Sequence, residues 1–228
     1  MKILSLASML SIQSPNLSDK FKNDDILVIS PLKDTLLNAE FIKCEIGSVS
    51  YALALICQNL LNDEFFDELD TGYLSGESNI GEEEISSICE FIKDIKFCIV
   101  SDEIFAKNPS QTKEMLNLLS TKFGFDLLNL NGEKITLSGE LDELDELDSF
   151  DGAVVFTHSK FDEFRGGKFF AMASKLRDGS EVVLKTKQKE IKTKFNLDND
   201  MQGTIAMLGS SGLEYGFEIV SYIDLKKI

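Results

Sequence analysis

The chain predicts an α/β fold, a parallel-sheet α/β domain followed by a small β domain, and three observations carry that prediction. Short continuous apolar runs at 26–29, 97–100 and 153–156 have the length and composition of strands buried on both faces. Stretches with helical spacing alternate with those runs, which is the pattern of strand and crossover helix. From Lys168 onward, the helical spacing gives way to short strand-like runs punctuated by Gly and Asp.

Taken in order, residues 1–12 begin with Lys2 and an apolar run. Ser5, Ser8 and Ser11 interrupt it, and no small-x-small cleavage pattern precedes Pro15, so it does not read as a secretory signal. The run 26–29 is entered through Asp24 and Asp25 and closed by Ser30 and Pro31, as a parallel-sheet strand would be. A shorter alternating strand follows over 41–46 and ends at Gly47. Ser48 can then cap a helix over 49–61 that is apolar nearly all round, the mark of a helix packed between other elements. Residues 63–81 form an acidic connection anchored by Phe65, Phe66, Tyr73 and Leu74.

The next helix is the clearest. Ser78 or Asn79 can cap it, Glu82, Glu83 and Glu84 lie where the helix dipole favours negative charge, and Ile85, Ile88, Cys89 and Ile92 form one stripe. A strand at 96–100 leads to Asn108-Pro109, a cap followed by proline at the first turn. That helix turns Met115, Leu116, Leu119 and Phe123 inward and stops at Gly124. A strand at 126–130 follows. The segment GELDELDELDSF, 139–150, spaces Leu141, Leu144 and Leu147 by three with carboxylates between them, so it reads as a solvated connector or a short turn pinned by leucines. It lacks the central glycine of a calcium loop.

The strand at 153–156 is read as the last of the α/β domain. The boundary is expected at 161–167, where the charge changes sign and Gly166-Gly167 relieves the backbone, giving domains 1–164 and 165–228. Beyond it come a helical turn at 171–176, a tight turn at Asp178-Gly179, strands at 181–184, 192–197 and 203–208, a link at 209–212 and a last strand at 215–225. Lys185, Lys187 and Lys189 alternate, and Lys192 and Lys194 alternate in the opposite phase. A turn or bulge near Glu190 must separate them if all five face solvent. The row reads as a solvated strand face or as a contact patch for an acidic partner.

The formal charge of −16 is uneven. From Arg165 onward there are 11 Lys and Arg against 8 Asp and Glu, leaving 12 against 31 before it, or about −19 in front and +3 behind. An acidic front argues against nucleic acid as a general ligand, because phosphate contacts supply most of that affinity. It suits docking to a basic protein surface. No run approaches the ~20 apolar residues of a membrane span, so no direct membrane insertion is expected.

Chemical signatures are sparse. Cys44, Cys57, Cys89 and Cys98 are well separated and read as buried thiols, without the close pairs of a zinc or iron-sulfur site. No GxGxxG, GxxxxGK[ST] or GxSxG motif is present. His158, the single histidine, follows a predicted strand end, where α/β active sites collect, but no partner for acid-base work is visible beside it. The residues therefore give no catalytic, cofactor-binding or metal-binding group.

Two stretches together resemble a known family. Residues 40–85, EFIKCEIGSVSYALALICQNLLNDEFFDELDTGYLSGESNIGEEEI, followed by the strand at Phe97, resemble a core segment of the molybdopterin oxidoreductase superfamily. They are closer still to its branch that forms the large iron-sulfur (G) subunit of bacterial respiratory complex I. FFAMASKLRDGSEVVL with MQGTIAML is similar to the small C-terminal β-barrel of that superfamily, with its short helix, Lys-x-x-Asp-Gly turn and paired strands. GELDELDELDSFDGAVVF resembles the segment joining the two parts.

The resemblance implies a β-barrel-like C-terminal domain. The chain lacks the N-terminal cysteine clusters of the G subunit and matches no molybdenum ligand or pterin-phosphate loop, so no functional residue carries over. What it then implies is a non-catalytic accessory subunit without cofactors. Its partners would be other subunits of a complex I-like assembly, which it would join on the cytoplasmic side of the inner membrane. The alternatives are a stand-alone α/β protein binding a flavin or nucleotide-like cofactor at the strand ends near His158, and an acidic protein-interaction module.

Overall fold

Strands with apolar residues at both parities must be covered on both faces, and the first unit is built that way. The computed structural model describes residues 1–225, and the chain divides into two units after Asp148. The first unit holds β1 (Lys2–Ser5), the short helices α1 (Leu10–Gln13) and α2 (Pro15–Lys20), β2 (Asp25–Ser30) and β3 (Glu40–Lys43). Then come α3 (Val49–Leu60), α4 (Glu64–Asp67), α5 (Thr71–Ser78) and α6 (Glu82–Ile92). After β4 (Ile95–Ile99) follow a 3-10 turn (Asp102–Phe105), α7 (Pro109–Phe123), β5 (Asp126–Leu128) and β6 (Lys134–Ile135).

The sheet order is β3-β2-β1-β4-β5-β6, parallel throughout except for β6, which runs antiparallel to β5. Alternate residues feed two cores. Leu4, Leu27, Ile29 and Cys98 pack with α3, α6 and α7, while Ile3, Ile26, Val28 and Ile99 pack with Leu10, Leu17 and Phe21 of the other layer. In α3 every residue from Val49 to Cys57 is buried, as expected of a helix apolar nearly all round. Each Leu or Ile so buried contributes about 1.5–3 kcal/mol.

Local details correct several expectations. The connection after α3 is not irregular: Asp63 caps α4 by accepting from Phe65 N at 3.0 Å, and Asp70 caps α5 by accepting from Tyr73 N at 3.0 Å. Asn79 ends α5 in a left-handed conformation, φ 57°, instead of starting the next helix. The N-cap of α6 is Gly81, whose N–H is taken by the Glu84 carboxylate at 3.0 Å. Residues 139–150 form an extended strap whose Leu141, Leu144 and Leu147 rest partly buried on the α3-side core, with no helical turn. At Gly139 the strap passes so close to α7 that a Cβ would lie 1.9 Å from the Ser110 carbonyl oxygen.

The second unit holds β7 (Ala153–His158), β8 (Glu163–Gly166), α8 (Lys168–Ala173), β9 (Glu181–Lys185), β10 (Glu190–Lys194), β11 (Asn196–Leu197), β12 (Ile205–Gly209) and β13 (Gly216–Asp224). The boundary expected at 161–167 thus falls earlier, because β7 pairs with β12 and β13 and not with the first sheet. β8 lies where that boundary had been placed, its short run hidden by the charged residues around Phe164.

The sheet order is β10-β9-β13-β7-β12-β8-β11. β10 and β11 are one run interrupted at Phe195, pairing with β9 at its start and β8 at its end, so the sheet curls into a nearly closed barrel. Val155, Phe164, Val182, Leu184, Phe195, Ala206, Leu208 and Val220 fill its interior. Phe164, Phe170 and Phe195 meet there with ring centroids 5.1–5.9 Å apart. The tight turn is confirmed: Gly179 has φ 79°, and Asp178 accepts from Leu197 N at 2.9 Å, tying the turn to β11.

The opposed lysine phases have a simple cause. A turn at 186–189 separates Lys185 from Lys189, with the Thr186 hydroxyl accepting from Gln188 N and Lys189 N at 3.1 and 3.0 Å. Lys189 leaves the row: its ammonium donates to Ser210 Oγ at 3.0 Å and to the Ser211 carbonyl.

Candidate functional site

In an open parallel sheet, ligands collect outside the carboxyl ends of the strands where the strand order reverses. Here the reversal lies between β1 and β4, because β2 and β3 are laid down on one side of β1 and β4 and β5 on the other. A nucleotide site at this place needs three things: a loop after β1 open enough for phosphates to reach backbone N–H groups, an anion-receptive helix start, and an acid after β2 for the ribose.

The loop after β1 does not offer the first. It reads Leu6-Ala7-Ser8-Met9, all four residues buried, where a phosphate cradle uses glycine to let the ligand approach the chain. Met9 takes a left-handed conformation, φ 52° and ψ 53°, which costs a non-glycine residue about 1–3 kcal/mol. The surrounding hydrogen bonds hold it there.

The amides that could receive an anion are already receiving one. Glu103, just after β4, turns its carboxylate inward, where Oε1 accepts from Ser8 N at 2.6 Å and Oε2 accepts from Gln13 Nε2 at 3.1 Å. Burial pushes its pKa up to about 6 against the opposing pull of the hydrogen bonds from Ser8 and Gln13. Asp34, after β2, is buried and accepts from Ser11 N at 2.7 Å, Ser11 Oγ at 2.7 Å and Leu36 N at 3.2 Å. The Ser30 hydroxyl donates to Ser8 Oγ at 2.9 Å, closing the lattice between the β1 and β2 loops. The chain's own carboxylates therefore already hold the Ser8 and Ser11 amides, and the acid after β2, Asp34, is engaged by Ser11 and Leu36.

The start of α3 is closed in the same manner. Asn108 has φ 50° and directs its side chain away from α7: Nδ2 donates to Ser50 Oγ at 3.0 Å, and Oδ1 accepts from Asp145 N of the strap at 2.8 Å. Tyr51 donates to the Asp145 carbonyl at 3.1 Å. Asn108 and Ser48 sit at the N-cap positions of α7 and α3 as expected, but neither side chain makes the capping hydrogen bond, and the Ser48 hydroxyl instead donates to the Glu45 carbonyl at 2.8 Å.

A groove of about 460 Å³ lies between α3, α5 and α6, lined in part by Leu55, Asn59, Thr71, Ile85, Cys89 and Lys93. Burial pushes the Cys89 thiol up to about 11 and the Cys44 thiol up to about 12, and also raises Cys57 and Cys98. All four cysteines are buried free thiols, and burial disfavours the thiolate at each of them. Among the described residues no group of three or more His, Cys, Asp and Glu is placed to hold a metal ion.

His158 closes β7 in the second unit and is fully buried. Its Nε2 lies 2.7 Å from Glu163 Oε1, and its ring meets the Phe161 edge with centroids 4.8 Å apart. Glu163 Oε2 accepts from Arg165 Nε at 2.7 Å, and Arg165 NH1 donates to Asp198 at 2.6 Å. Gly209 packs so tightly on this ring that a Cβ would lie 2.4 Å from His158 Cε1. This is a chain of polar groups that ties β7, β8 and the segment after β11 together, and it leaves no room for a substrate at the imidazole.

Glu103 and Asp34 are not legible as site residues from the residues alone. Each is an acid a few positions past a predicted strand end, in SDEIF and SPLKD, a pattern too common to single out without knowing that β1 lies between them. No protein-family model matches the chain, and no curated protein matches it. No helix among the described residues is long and apolar enough to cross a membrane.

Proposed function

We propose that the chain is a non-catalytic accessory subunit of a respiratory NADH-quinone oxidoreductase type assembly, without a redox centre of its own, working on the cytoplasmic side through other subunits. One observation carries the non-catalytic part: Glu103 and Asp34 satisfy the loop amides at the strand-order reversal, so the one place where this sheet would seat a nucleotide is filled from within. The respiratory assignment rests on the sequence resemblance of residues 40–85 and of the C-terminal stretches.

The acidic first unit suits a docking role. With the boundary after Asp148, the second unit carries 12 Lys and Arg against 11 Asp and Glu, leaving 11 against 28 in the first, or −17 and +1. The strap adds Glu140, Asp142, Glu143, Asp145, Glu146 and Asp148 along one exposed line. Those carboxylates also favour a second reading, an acidic interaction module outside respiration.

Purification of the tagged full chain from its native cells separates the two. Stoichiometric recovery of complex I-type subunits supports the first reading, and their absence from a stable complex with other proteins supports the second. Turnover of NADH by the isolated chain would overturn both.

A further inference from the structure

The outer face of the strands β10, β9 and β13 combines unpaired positive charge with exposed branched apolar side chains. Directly opposed residues in an antiparallel sheet point to the same side. The register therefore sets Lys192 beside Val183 and Val183 beside Ile223, with Glu190, Lys185 and Ser221 as the next row. The opposite parity, Val182 and Leu184, is fully buried in the barrel, so this row faces outward. Ile223 is 57% exposed and Ile219, two pairs along β13, is 42% exposed, high values for isoleucine in mid-strand.

Around this apolar centre Lys185, Lys187, Lys192 and Lys194 are exposed and make no ion pair among the described residues. Protection of a sheet edge accounts for only two of them. Lysines guard an edge against pairing with another chain, and Lys192 and Lys194 lie on such an edge, since β10 pairs only with β9; Lys185 lies on β9, between β10 and β13, and Lys187 lies in the turn.

We infer that this face is a docking surface for a protein that presents carboxylates around an apolar spot. Exposed isoleucines at the centre with a charged rim is the composition of a protein interface. Four lysines against Glu181 and Glu190 leave it locally positive in a chain of net charge −16. Ionic screening over ~8 Å makes the local excess of charge, and not the net charge of the chain, decide the attraction at this face. Those two glutamates, the absence of arginine from the row and the charge of −17 on the first unit oppose a phosphate backbone. The inference deepens the accessory-subunit reading by naming a contact face, and it rests on that reading only for the identity of the partner.

The test places a photo-crosslinking benzoylphenylalanine at Ser221, inside the row, and as a control at Leu36 in the first unit, in the tagged full chain in native cells. The expected adduct from Ser221 is one protein, joined through a segment rich in Asp and Glu. That protein, purified, should bind Lys185→Glu/Lys192→Glu about tenfold or more weaker than the wild type. The wild-type affinity should fall as salt is raised from about 0.1 M to about 1 M. Ile223→Ser should weaken binding several-fold with the salt dependence unchanged. RNA or lipid adducts, no adduct, an adduct without acidic residues, or affinity untouched by the charge reversal would each overturn the inference. Respiratory subunits captured from Leu36 but not from Ser221 would sink this face and leave the accessory-subunit reading standing. An acidic partner outside respiration at Ser221 would do the reverse.

Discussion

Glu103 offers the sharpest way to probe the closed carboxyl edge, because its carboxylate both holds the β1 loop and is destabilised by its own burial. Its carboxyl sits at about 6 in the fold against an ordinary 4.5. At ~1.4 kcal/mol per tenfold, that difference corresponds to roughly 2 kcal/mol. The folded value is the higher one, so the folded chain holds the proton more tightly than the unfolded chain does. The stabilisation from protonation is fully present below about pH 4.5 and is lost as pH rises through about 6.

Glu103→Gln keeps an acceptor for Ser8 N–H and cannot titrate. The difference in unfolding free energy between the variant and the wild type should therefore drift by about 2 kcal/mol between pH 4 and pH 7, in favour of the variant at the higher pH. Glu103→Ala removes the acceptor and leaves the Ser8 N–H unpaired, at a cost of about 1–3 kcal/mol. Native-state hydrogen exchange read at the Ser8 amide should accelerate by a factor of roughly 5 to 150, since local opening follows that free energy. If the wild type and Glu103→Gln keep parallel pH profiles, and Ser8 exchange is unchanged in Glu103→Ala, the carboxylate is not seated on the loop and the reasoning fails.

Further outcomes follow from the same geometry. Asp34→Ala should free the Ser11 amide and hydroxyl and destabilise the first unit by about 1–3 kcal/mol in urea, whereas Asp34→Asn, which keeps one acceptor, should lose less. All four cysteines should resist an aromatic disulfide reagent in the native chain at pH 8 and react together once it is unfolded. Fast reaction of any one would contradict its burial. Gly209→Ala must displace His158 or the Phe161 carbonyl, which a Cβ would approach to 2.1 Å, so it should lower the melting temperature of the barrel by several degrees at least. Gly139→Ala should loosen the strap, seen as faster exchange at the Glu140 and Asp145 amides, while the centre of α3 stays protected.

Elements whose buried face is written in a simple period were readable from the residues. The stripe Ile85, Ile88, Cys89 and Ile92, the apolar run at 26–29 and the proline-started helix over 109–123 all lie where the pattern placed them. β1 was not readable, since its four residues include Ser5 and sit in a run that serine keeps interrupting. Only pairing with β2 and β4 makes it the central strand. The domain boundary was misplaced because β7 is as apolar as any parallel strand, and its antiparallel partner β13 lies more than fifty residues away in sequence. Nothing local records such a pairing. The same holds for the closed edge: Glu103 meets Ser8 across 95 positions, so its role emerges only from the topology.

We propose that Glu103 and Asp34 hold the loop amides a nucleotide would need and that the chain acts by binding proteins. Titration of the full chain with NADH and, separately, with FMN, followed at the backbone amide resonances of Ser8 and Ser11, tests this most directly. No saturable shift is expected at either amide with either ligand. Saturable shifts centred on Ser8 and Ser11 would contradict it.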